Sequence, residues 1–182
     1  MGEFTVQEVL PTTQLVQEIG ELRLRAWRSR SGVFGDRTEP LVDRFDDNAI
    51  HWIARCRNRG AIVAAARLSV AEGPGEIPDR EVFEDLPLSD VTWPIAAITR
   101  LCCDIRFRKR GIPKIMDVQR VRRARDLSCS TIVCWAFEGA SRYRELLDLG
   151  FEKVCRARSH PVQELRADFQ RLKYAVLRRD LN

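Results

Sequence analysis

The chain of 182 residues has a mass of 21.0 kDa, a length that predicts a single domain over residues 1–182. Its 45% hydrophobic and 31% charged residues are typical of a globular protein and exclude a disordered or fibrous one. The net charge of +5 is compatible with nucleic acid, phosphorylated cofactors or acidic carrier proteins, and it selects none of them. The apolar runs are far shorter than the about 20 residues of a membrane span, and the first residues lack a secretory signal pattern. We therefore expect a cytoplasmic protein without a membrane anchor.

The first predicted strand covers residues 4–9. An amphipathic helix follows, predicted from apolar residues at helical spacing, which are Leu15, Ile19, Leu22 and Ala26. Arg23, Arg25 and Arg28 fall outside this apolar stripe, so we expect them on the surface. Residues 31–48 show no regular pattern and become acidic towards their end.

A β-hairpin is predicted next. Two apolar runs, residues 49–56 and 61–70, are separated by the tight-turn sequence Arg57-Asn58-Arg59-Gly60. Residues 71–94 are rich in proline, glycine and aspartate, which predicts a loop with a short helix over residues 79–86.

The second half of the chain begins with a long predicted strand, residues 95–105, which ends in a basic turn, residues 106–111. The helix predicted over residues 113–126 has Pro113 in its first turn, where the missing N–H costs no intrahelical hydrogen bond. A strand, a helix and two strands follow, over residues 131–137, 141–149, 151–159 and 172–177. This order predicts an α/β (α+β) fold, a mixed sheet with helices on its faces.

The basic turn carries the most chemical information. A strand end, a glycine and a helix start coincide there, and the free N–H groups and helix dipole at such a point suit a pyrophosphate. Gly111 would let the backbone approach the phosphates closely. Taken alone, the turn is equally compatible with a solvated, arginine-rich connection.

This turn resembles the signature of the GNAT superfamily of acyl-CoA-dependent N-acyltransferases, which is Arg/Gln-x-x-Gly-x-Gly/Ala after a strand. Arg108 and Gly111 match the signature, whereas Pro113 stands at the final Gly/Ala and offers no N–H. The resemblance implies a mostly antiparallel sheet of six to seven strands, with acetyl-CoA or another acyl-CoA as acyl donor. It also implies a backbone pairing with pantetheine and a pyrophosphate site. The cofactor-binding residues so implied are Leu101, Cys102, Cys103, Arg108, Lys109, Arg110, Gly111, Ile112 and Pro113.

Residues 146–152 resemble the helix–Leu-Gly-Phe–strand ending of the same family. Leu146 stands where many members carry a tyrosine that acts as general acid. Tyr143 lies one helical turn earlier and is the candidate replacement.

A second resemblance is to N-acyl-homoserine-lactone synthases and related N-acyl amino acid synthases. Their acidic cluster, hairpin arginine and strand arginine correspond here to Asp43, Asp46, Arg67 and Arg100. Leu41 and Ala97 stand where acids would be expected. The resemblance implies an acceptor site organised by these four charged residues. The alternative is a structural ion-pair network.

Amine acylation also needs a base and an oxyanion donor. A backbone N–H at or next to Cys103 is the expected oxyanion donor. Glu138, after a buried strand, is the first candidate base, because desolvation would raise its pKa. Asp104 is the second, although its arginine neighbours would lower its pKa. We expect direct transfer to a small amine, since no histidine lies near a cysteine that could act as nucleophile.

The cysteines point to neither metal nor disulfide chemistry. None has C-x-x-C spacing, and His51 and His160 lie far from any cysteine cluster, so no metal is expected. Most lie in apolar runs, where thiols behave as small buried hydrophobes, with a redox or nucleophilic role as the alternative. The six are Cys56, Cys102, Cys103, Cys129, Cys134 and Cys155.

Three other functions were weighed against acyl transfer from CoA. An acidic acyl carrier protein could be the donor, docking on a basic group made of Arg106, Arg108, Lys109, Arg110 and Lys114. A GNAT-like protein without activity is the second alternative. Nucleic-acid binding is disfavoured, because the basic residues lack the interleaving with aromatic residues that stacked bases need. The arginines of the helix are also expected to form a solvated face opposite an apolar stripe that packs on the core. The arginines are Arg120, Arg122, Arg123 and Arg125, and the stripe is Ile115, Val118 and Val121. A homodimer is left open.

Overall fold

The computed structural model describes residues 3–31, 36–157 and 173–181. The strands are β1 (Phe4–Val9), β2 (Ile50–Cys56), β3 (Ile62–Ala71), β4 (Ile95–Cys103), β5 (Thr131–Phe137), β6 (Glu152–Arg156) and β7 (Tyr174–Asp180). The helices are α1 (Thr13–Ser31), α2 (Ile112–Asp126) and α3 (Ser141–Asp148). This succession confirms the predicted order of strands and helices. Residues 158–159 and 172, which were predicted to be strand, and His160 lie outside the described residues.

The seven strands form one sheet in the order β1-β2-β3-β4-β5-β7-β6. The pairs β1–β2, β5–β7 and β6–β7 are antiparallel, and β4–β5 is parallel. The parallel pair follows from the chain between these strands, because α2 provides the crossover that parallel neighbours need. The predicted mixed, mostly antiparallel sheet flanked by helices is confirmed. Within the described ranges, no helix has both the length and the apolar character needed to cross a membrane.

Backbone contacts divide the chain into two compact units. The first unit contains residues 1–67 and 100–116, and the second contains residues 68–99 and 117–182. The divisions fall inside β3 and β4, so neither unit is a continuous stretch of sequence. A single domain over residues 1–182 stays a prediction.

The apolar stripe of α1 builds the core of the first unit. Ile19 and Leu22 pack with Ile53 of β2 and Ala65 of β3. The predicted helical spacing is therefore confirmed. The predicted surface position of Arg23 is wrong, because its side chain is only 1% exposed and is held by ion pairs described below.

The loop between β3 and β4 builds the core of the second unit. Its buried residues Ile77, Phe83 and Leu86 pack against Ile95 of β4 and Val133 of β5. The short helix predicted over residues 79–86 is a single 3-10 turn, Arg80–Phe83.

Strand β4 ends two residues earlier than predicted. The side chain of Asp104 accepts a hydrogen bond from the backbone N–H of Arg106 at 2.9 Å, and Ile105–Phe107 form a 3-10 turn. This local bond gives the backbone an alternative to the strand ladder. The carboxylate at the end of the strand therefore terminates it.

Candidate active site

Four charged residues predicted to form the acceptor site come together in the first unit. Arg67 donates to the Asp43 and Asp46 carboxylates, at 2.5 and 2.9 Å. Arg100 donates to the other oxygen of Asp43 through Nε at 3.0 Å and Nη2 at 2.8 Å. Arg67 is fully buried, whereas the side chain of Arg100 is 18% exposed. The cluster is therefore buried at Arg67 and reaches solvent at Arg100.

Two members of the cluster were missed by the sequence analysis. Arg23 of α1 forms a two-pronged ion pair with Asp46, at 2.7 and 2.8 Å, and also donates to the carbonyl of Leu41. The ring of His51 is buried, with Nε2 2.8 Å from the carbonyl oxygen of Asp46. Arg23 follows Leu22 within the apolar stretch of α1, and that adjacency was the available signal.

The charges of the cluster shift the pKa of its acids downwards. Burial by itself would raise the pKa of Asp46, but hydrogen bonds and charges from Arg23 and Arg67 hold it well below its ordinary value. Arg67 and Arg100 do the same for Asp43 against the same opposing burial. Both aspartates are therefore anionic at neutral pH.

Aromatic rings complete the cluster. The guanidinium of Arg67 lies 5.7 Å from the ring centroid of Phe45, and that of Arg100 lies 6.0 Å from Trp27. Arg100 also has a backbone φ of +54°, which is uncommon for a residue with a side chain. Such strain persists where the surroundings enforce it, as at ligand sites.

The glycine turn before α2 has the conformation expected of an anion site. Gly111 adopts φ +75°, and no heavy atom lies within 4 Å of a Cβ placed there. The helix starts at Ile112, so the first N–H groups of α2 are those without an intrahelical acceptor. Pro113 removes one of these donors.

The basic side chains of the turn are partly engaged with the protein. Arg108 donates to the carbonyl of Ala26 at 3.1 Å, which ties the turn to α1. Arg110 pairs with Glu3 and lies 5.1 Å from the ring of Phe107. The backbone and the exposed Lys109 therefore form the most accessible part of this predicted cofactor site.

The strand residues Leu101, Cys102 and Cys103 end β4, as the resemblance requires. Burial raises the pKa of the Cys102 thiol to about 12 and that of Cys103 to about 11. Neither thiol is ionised at neutral pH, so a cysteine nucleophile is not supported at this position. All six cysteines are free.

Of the two candidate bases, Glu138 differs from expectation and Asp104 does not. The hydrogen bond and charge of Lys153, whose Nζ lies 2.6 Å from the carboxylate, lower the pKa of Glu138. The prediction that desolvation raises this pKa is wrong, because the carboxylate is half-exposed and paired. Hydrogen bonds from Arg106 lower the pKa of Asp104, as predicted. Tyr143 is half-buried in the first turn of α3.

Helix α2 presents a different face to the second unit from the one predicted. Ile115 and Val118 are exposed, at 40 and 45%, and Val121 alone of the predicted stripe is buried. Asp117 and Arg120 are buried instead. The expectation that Arg120 lies on a solvated face is therefore wrong.

Asp117 lies between two arginines of the second unit. Arg142 of α3 donates to it through Nε at 3.0 Å and Nη2 at 3.2 Å, and Arg120 pairs with the same carboxylate. Arg120 also donates to the carbonyl of Thr99 in β4 at 3.2 Å. Burial would raise the pKa of Asp117, but the two arginines hold it below its ordinary value.

This trio lies where β4 and β5 stop pairing. Three residue pairs join the strands, from Ile95–Thr131 to Ala97–Val133, although both strands continue further. Thr99 lies two residues after the last pair on β4. Cys134 follows it on β5, and the charges of all three residues act on its thiol, whose pKa burial raises to about 12. Among the described residues, no group of three His, Cys, Asp or Glu side chains could hold a metal.

Comparison with known proteins adds to this geometry. No family model matches the sequence, and a search of curated proteins finds no match. Solved structures do match. The AHL synthase LasI is 17% identical, with a TM-score of 0.66 over 98% of this chain and 90% of that one. An acetyltransferase of the GNAT family from Staphylococcus aureus Mu50 is 13% identical, with a TM-score of 0.61 over 98% and 100%.

A third structure is similar over the whole of this chain. The yncA protein of Salmonella typhimurium, solved with its cofactor acetyl-CoA, is 13% identical, with a TM-score of 0.63 over 100% of this chain and 95% of that one. Identities this low establish the fold alone. Element order, sheet topology and these similarities together show that this chain has the GNAT fold.

Proposed function

We propose that the protein is an N-acyltransferase that moves an acyl group from acyl-CoA directly to the amine of a small molecule. The observation that carries the proposal is the parting of the parallel strands β4 and β5 after three residue pairs. Beyond the last pair, β4 continues to Cys103 without pairing to β5 among the described residues. The amides of pantetheine could pair with the backbone of Leu101–Cys103 like an added strand. The acetyl-CoA of the yncA structure supports CoA as donor.

The glycine turn is the proposed pyrophosphate site. Its support is the positive φ of Gly111, the open space around it and the first N–H groups of α2. Lys109 and Lys114 are exposed and would add positive charge. Pro113 leaves one donor fewer, which we expect to weaken binding without abolishing it.

The charged cluster is the proposed acceptor site. Asp43, Asp46, Arg67 and Arg100 meet there with Arg23, and Arg100 lies at the edge that reaches solvent. The guanidinium of Arg100 could bind a carboxylate on the acceptor. We therefore propose an amino acid or another amine with an acidic group as acceptor.

The ion pairs of the two candidate bases bear on how the acceptor amine loses its proton. A low pKa makes Glu138 and Asp104 poor acceptors for the proton of an ammonium group. We propose that the proton leaves to water, with the backbone N–H next to Cys103 as oxyanion donor and Tyr143 as a further candidate acid.

The experiment has a binding step and a turnover step. Calorimetric titration with acetyl-CoA and a long-chain acyl-CoA tests the donor site, and mass spectrometry of reactions with an amine panel tests transfer. Arg100→Gln should spare acyl-CoA affinity and lower turnover, because Arg100 belongs to the acceptor cluster. Loss of acyl-CoA binding in a folded Arg100→Gln protein would contradict this division.

A second candidate donor is an acyl carrier protein. The four-residue charged cluster that resembles that of acyl-homoserine-lactone synthases favours it, and so does the structural similarity to LasI. Turnover with acyl carrier protein and none with acyl-CoA would establish this donor. If neither donor gives turnover and acyl-CoA still binds, the inactive GNAT-like binding protein is the correct description.

A further inference from the structure

The trio Asp117, Arg120 and Arg142 places two charged side chains, Asp117 and Arg120, in the protein interior. Removing charged groups from water is expensive, and a buried ion pair is often no more stable than apolar residues of the same volume. Here one carboxylate faces two guanidinium groups. Both guanidinium groups act on the same carboxylate, and Glu145 contributes a weaker attraction to Arg142.

Arg142 is the member of the trio that can reach a ligand. Its side chain is 21% exposed, whereas Arg120 is fully buried. Nε and Nη2 of Arg142 are held by Asp117, and Nη1 has no hydrogen-bond partner among residues 3–31, 36–157 and 173–181. An arginine fixed through two nitrogens with the third left over is preorganised to donate to an anion.

Arg142 lies near Leu146 in α3, the position where the resemblance expects a tyrosine that acts as general acid. Arg142 lies one helical turn before Leu146, on the same face of the helix. Leu146 is fully buried and has no proton to give. Arg120, which shares the Asp117 carboxylate with Arg142, donates to the carbonyl of Thr99, and the charge of Arg142 acts on the thiol of Cys134. Both residues lie just beyond the point where β4 and β5 stop pairing.

We propose that Arg142 stabilises the leaving thiolate of the acyl donor, instead of the tyrosine that the resemblance expects one helical turn later at Leu146, with Asp117 as the residue that positions it. This inference rests on the proposed acyl transfer. The amine nitrogen bonds to the thioester carbonyl carbon and loses a proton to water. The C–S bond then breaks, and its electron pair leaves with sulfur as a thiolate next to the Arg142 guanidinium. The thiolate later takes a proton from water, and Arg142 stays protonated throughout.

The test measures the thiol of bound CoA, so it needs no turnover. The ultraviolet absorbance of the thiolate is followed against pH in the complex with CoA, and the complex with desulfo-CoA serves as reference for the protein's own cysteines. We expect the pKa of the bound thiol to lie below that of free CoA and to rise by about one unit or more in Arg142→Gln. Arg144→Gln, which removes an exposed arginine from the same helix, should leave it unchanged.

Turnover provides a second readout. Loss of one preorganised donor typically costs about a hundredfold in kcat, and we expect that loss in Arg142→Gln with little change in CoA affinity. Asp117→Asn should give the same direction of change, because it releases the anchored guanidinium. Arg142→Lys, which keeps the charge, should recover part of the lowered thiol pKa.

The outcomes separate this inference from the proposed function. A bound thiol in the wild-type protein with a pKa at or above that of free CoA overturns the role of Arg142, even if no variant folds. An unchanged thiol pKa in folded Arg142→Gln also overturns it. Failure of CoA to bind contradicts the proposed donor instead. The role of Arg142 is then tested by titrating the phosphopantetheine thiol of a bound acyl carrier protein in the same way.

Discussion

Gly111 is the residue on which the proposed pyrophosphate site depends most directly. We expect Gly111→Asp to lower acyl-CoA affinity by about tenfold or more, because it adds a negative charge next to the phosphates and strains the backbone. Gly60→Asp is the matched control. Gly60 also has a positive φ, +64°, and open space around it, but it lies in the β2–β3 hairpin turn. Calorimetric titration showing equal affinities for the two variants would remove the site from the turn.

Glu138 is the residue whose role the structure changes most. Its ion pair with Lys153 keeps it ionised at and above neutral pH, and a carboxylate of low pKa is a weak base. We expect Glu138→Gln to change kcat/KM by less than about tenfold, below the effect of removing a positioned base. The acidic limb of the pH–rate profile should be the same in both proteins. A loss of about a hundredfold together with a flattened limb would restore Glu138 as the base.

The second strand contributes a pH-sensitive element to the first unit. Burial lowers the pKa of His51 below its ordinary 6.5, because the protonated ring would be desolvated beside Arg23 and Arg67. The unfolded chain therefore binds a proton that the folded chain does not, so stability falls as the pH drops below about 6.5. The slope cannot exceed about 1.4 kcal/mol per pH unit for this one group.

Denaturant unfolding between pH 7 and pH 5 measures that slope. His51→Gln keeps an N–H donor for the carbonyl of Asp46 and removes the titrating ring, so its free energy of unfolding should vary less over this range. Equal slopes in the two proteins would show that His51 does not titrate on unfolding.

Helix α2 offers a direct comparison of two arginines two positions apart. Arg120→Ala leaves the buried Asp117 with one partner fewer, and we expect a loss of about 3 kcal/mol or more in the free energy of unfolding. Arg122→Ala, at an exposed position, should cost less than about 0.5 kcal/mol. Similar costs for both variants would contradict the buried position of Arg120.

For the whole molecule, the salt dependence of turnover tests whether an acidic donor docks on the basic surface of the turn before α2. If an acidic carrier protein is the donor, kcat/KM should fall steeply with added salt, because screening weakens the steering of charged partners. The double variant Lys109→Gln, Lys114→Gln should reduce that dependence. Arg57→Gln, Arg59→Gln removes the same charge from the exposed hairpin turn and should not. A salt dependence shared by all three proteins would argue against docking at the α2 turn.

The fold was largely readable from the sequence, because it depends on local patterns that burial reinforces. The helical spacing of Ile19 and Leu22, the turn ending in Gly60 and the apolar run of β5 each predicted an element that is present. Boundaries were less accurate where one side chain decides them. Asp104 ends β4 early through a hydrogen bond that no periodicity reveals.

The candidate site divides in the same way. The sequence predicted that Asp43, Asp46, Arg67 and Arg100 act as a group, because their types and order resemble those of N-acyl-homoserine-lactone synthases. The folded chain adds Arg23, which reaches the Asp46 carboxylate from a helix 23 residues earlier. It also adds His51, whose ring contacts the Asp46 carbonyl from the strand that follows. Polar residues in apolar elements are buried only if partners from other elements neutralise them, and a linear pattern does not contain those partners.

Tertiary structure also decided the chemistry of α2 and of the strand end that carries Glu138. The sequence determined that α2 is a helix, since its spacing and Pro113 suffice for that. The face of α2 that is buried depends on Arg142, which lies 25 residues after Asp117 in the sequence. The positive charge of Arg142 offsets the free-energy cost of burying the Asp117 carboxylate. Lys153 likewise sets the pKa of Glu138 from 15 residues away. Local sequence determines backbone form, whereas the free energy of a buried or paired charge is set by groups that only the folded chain brings into contact.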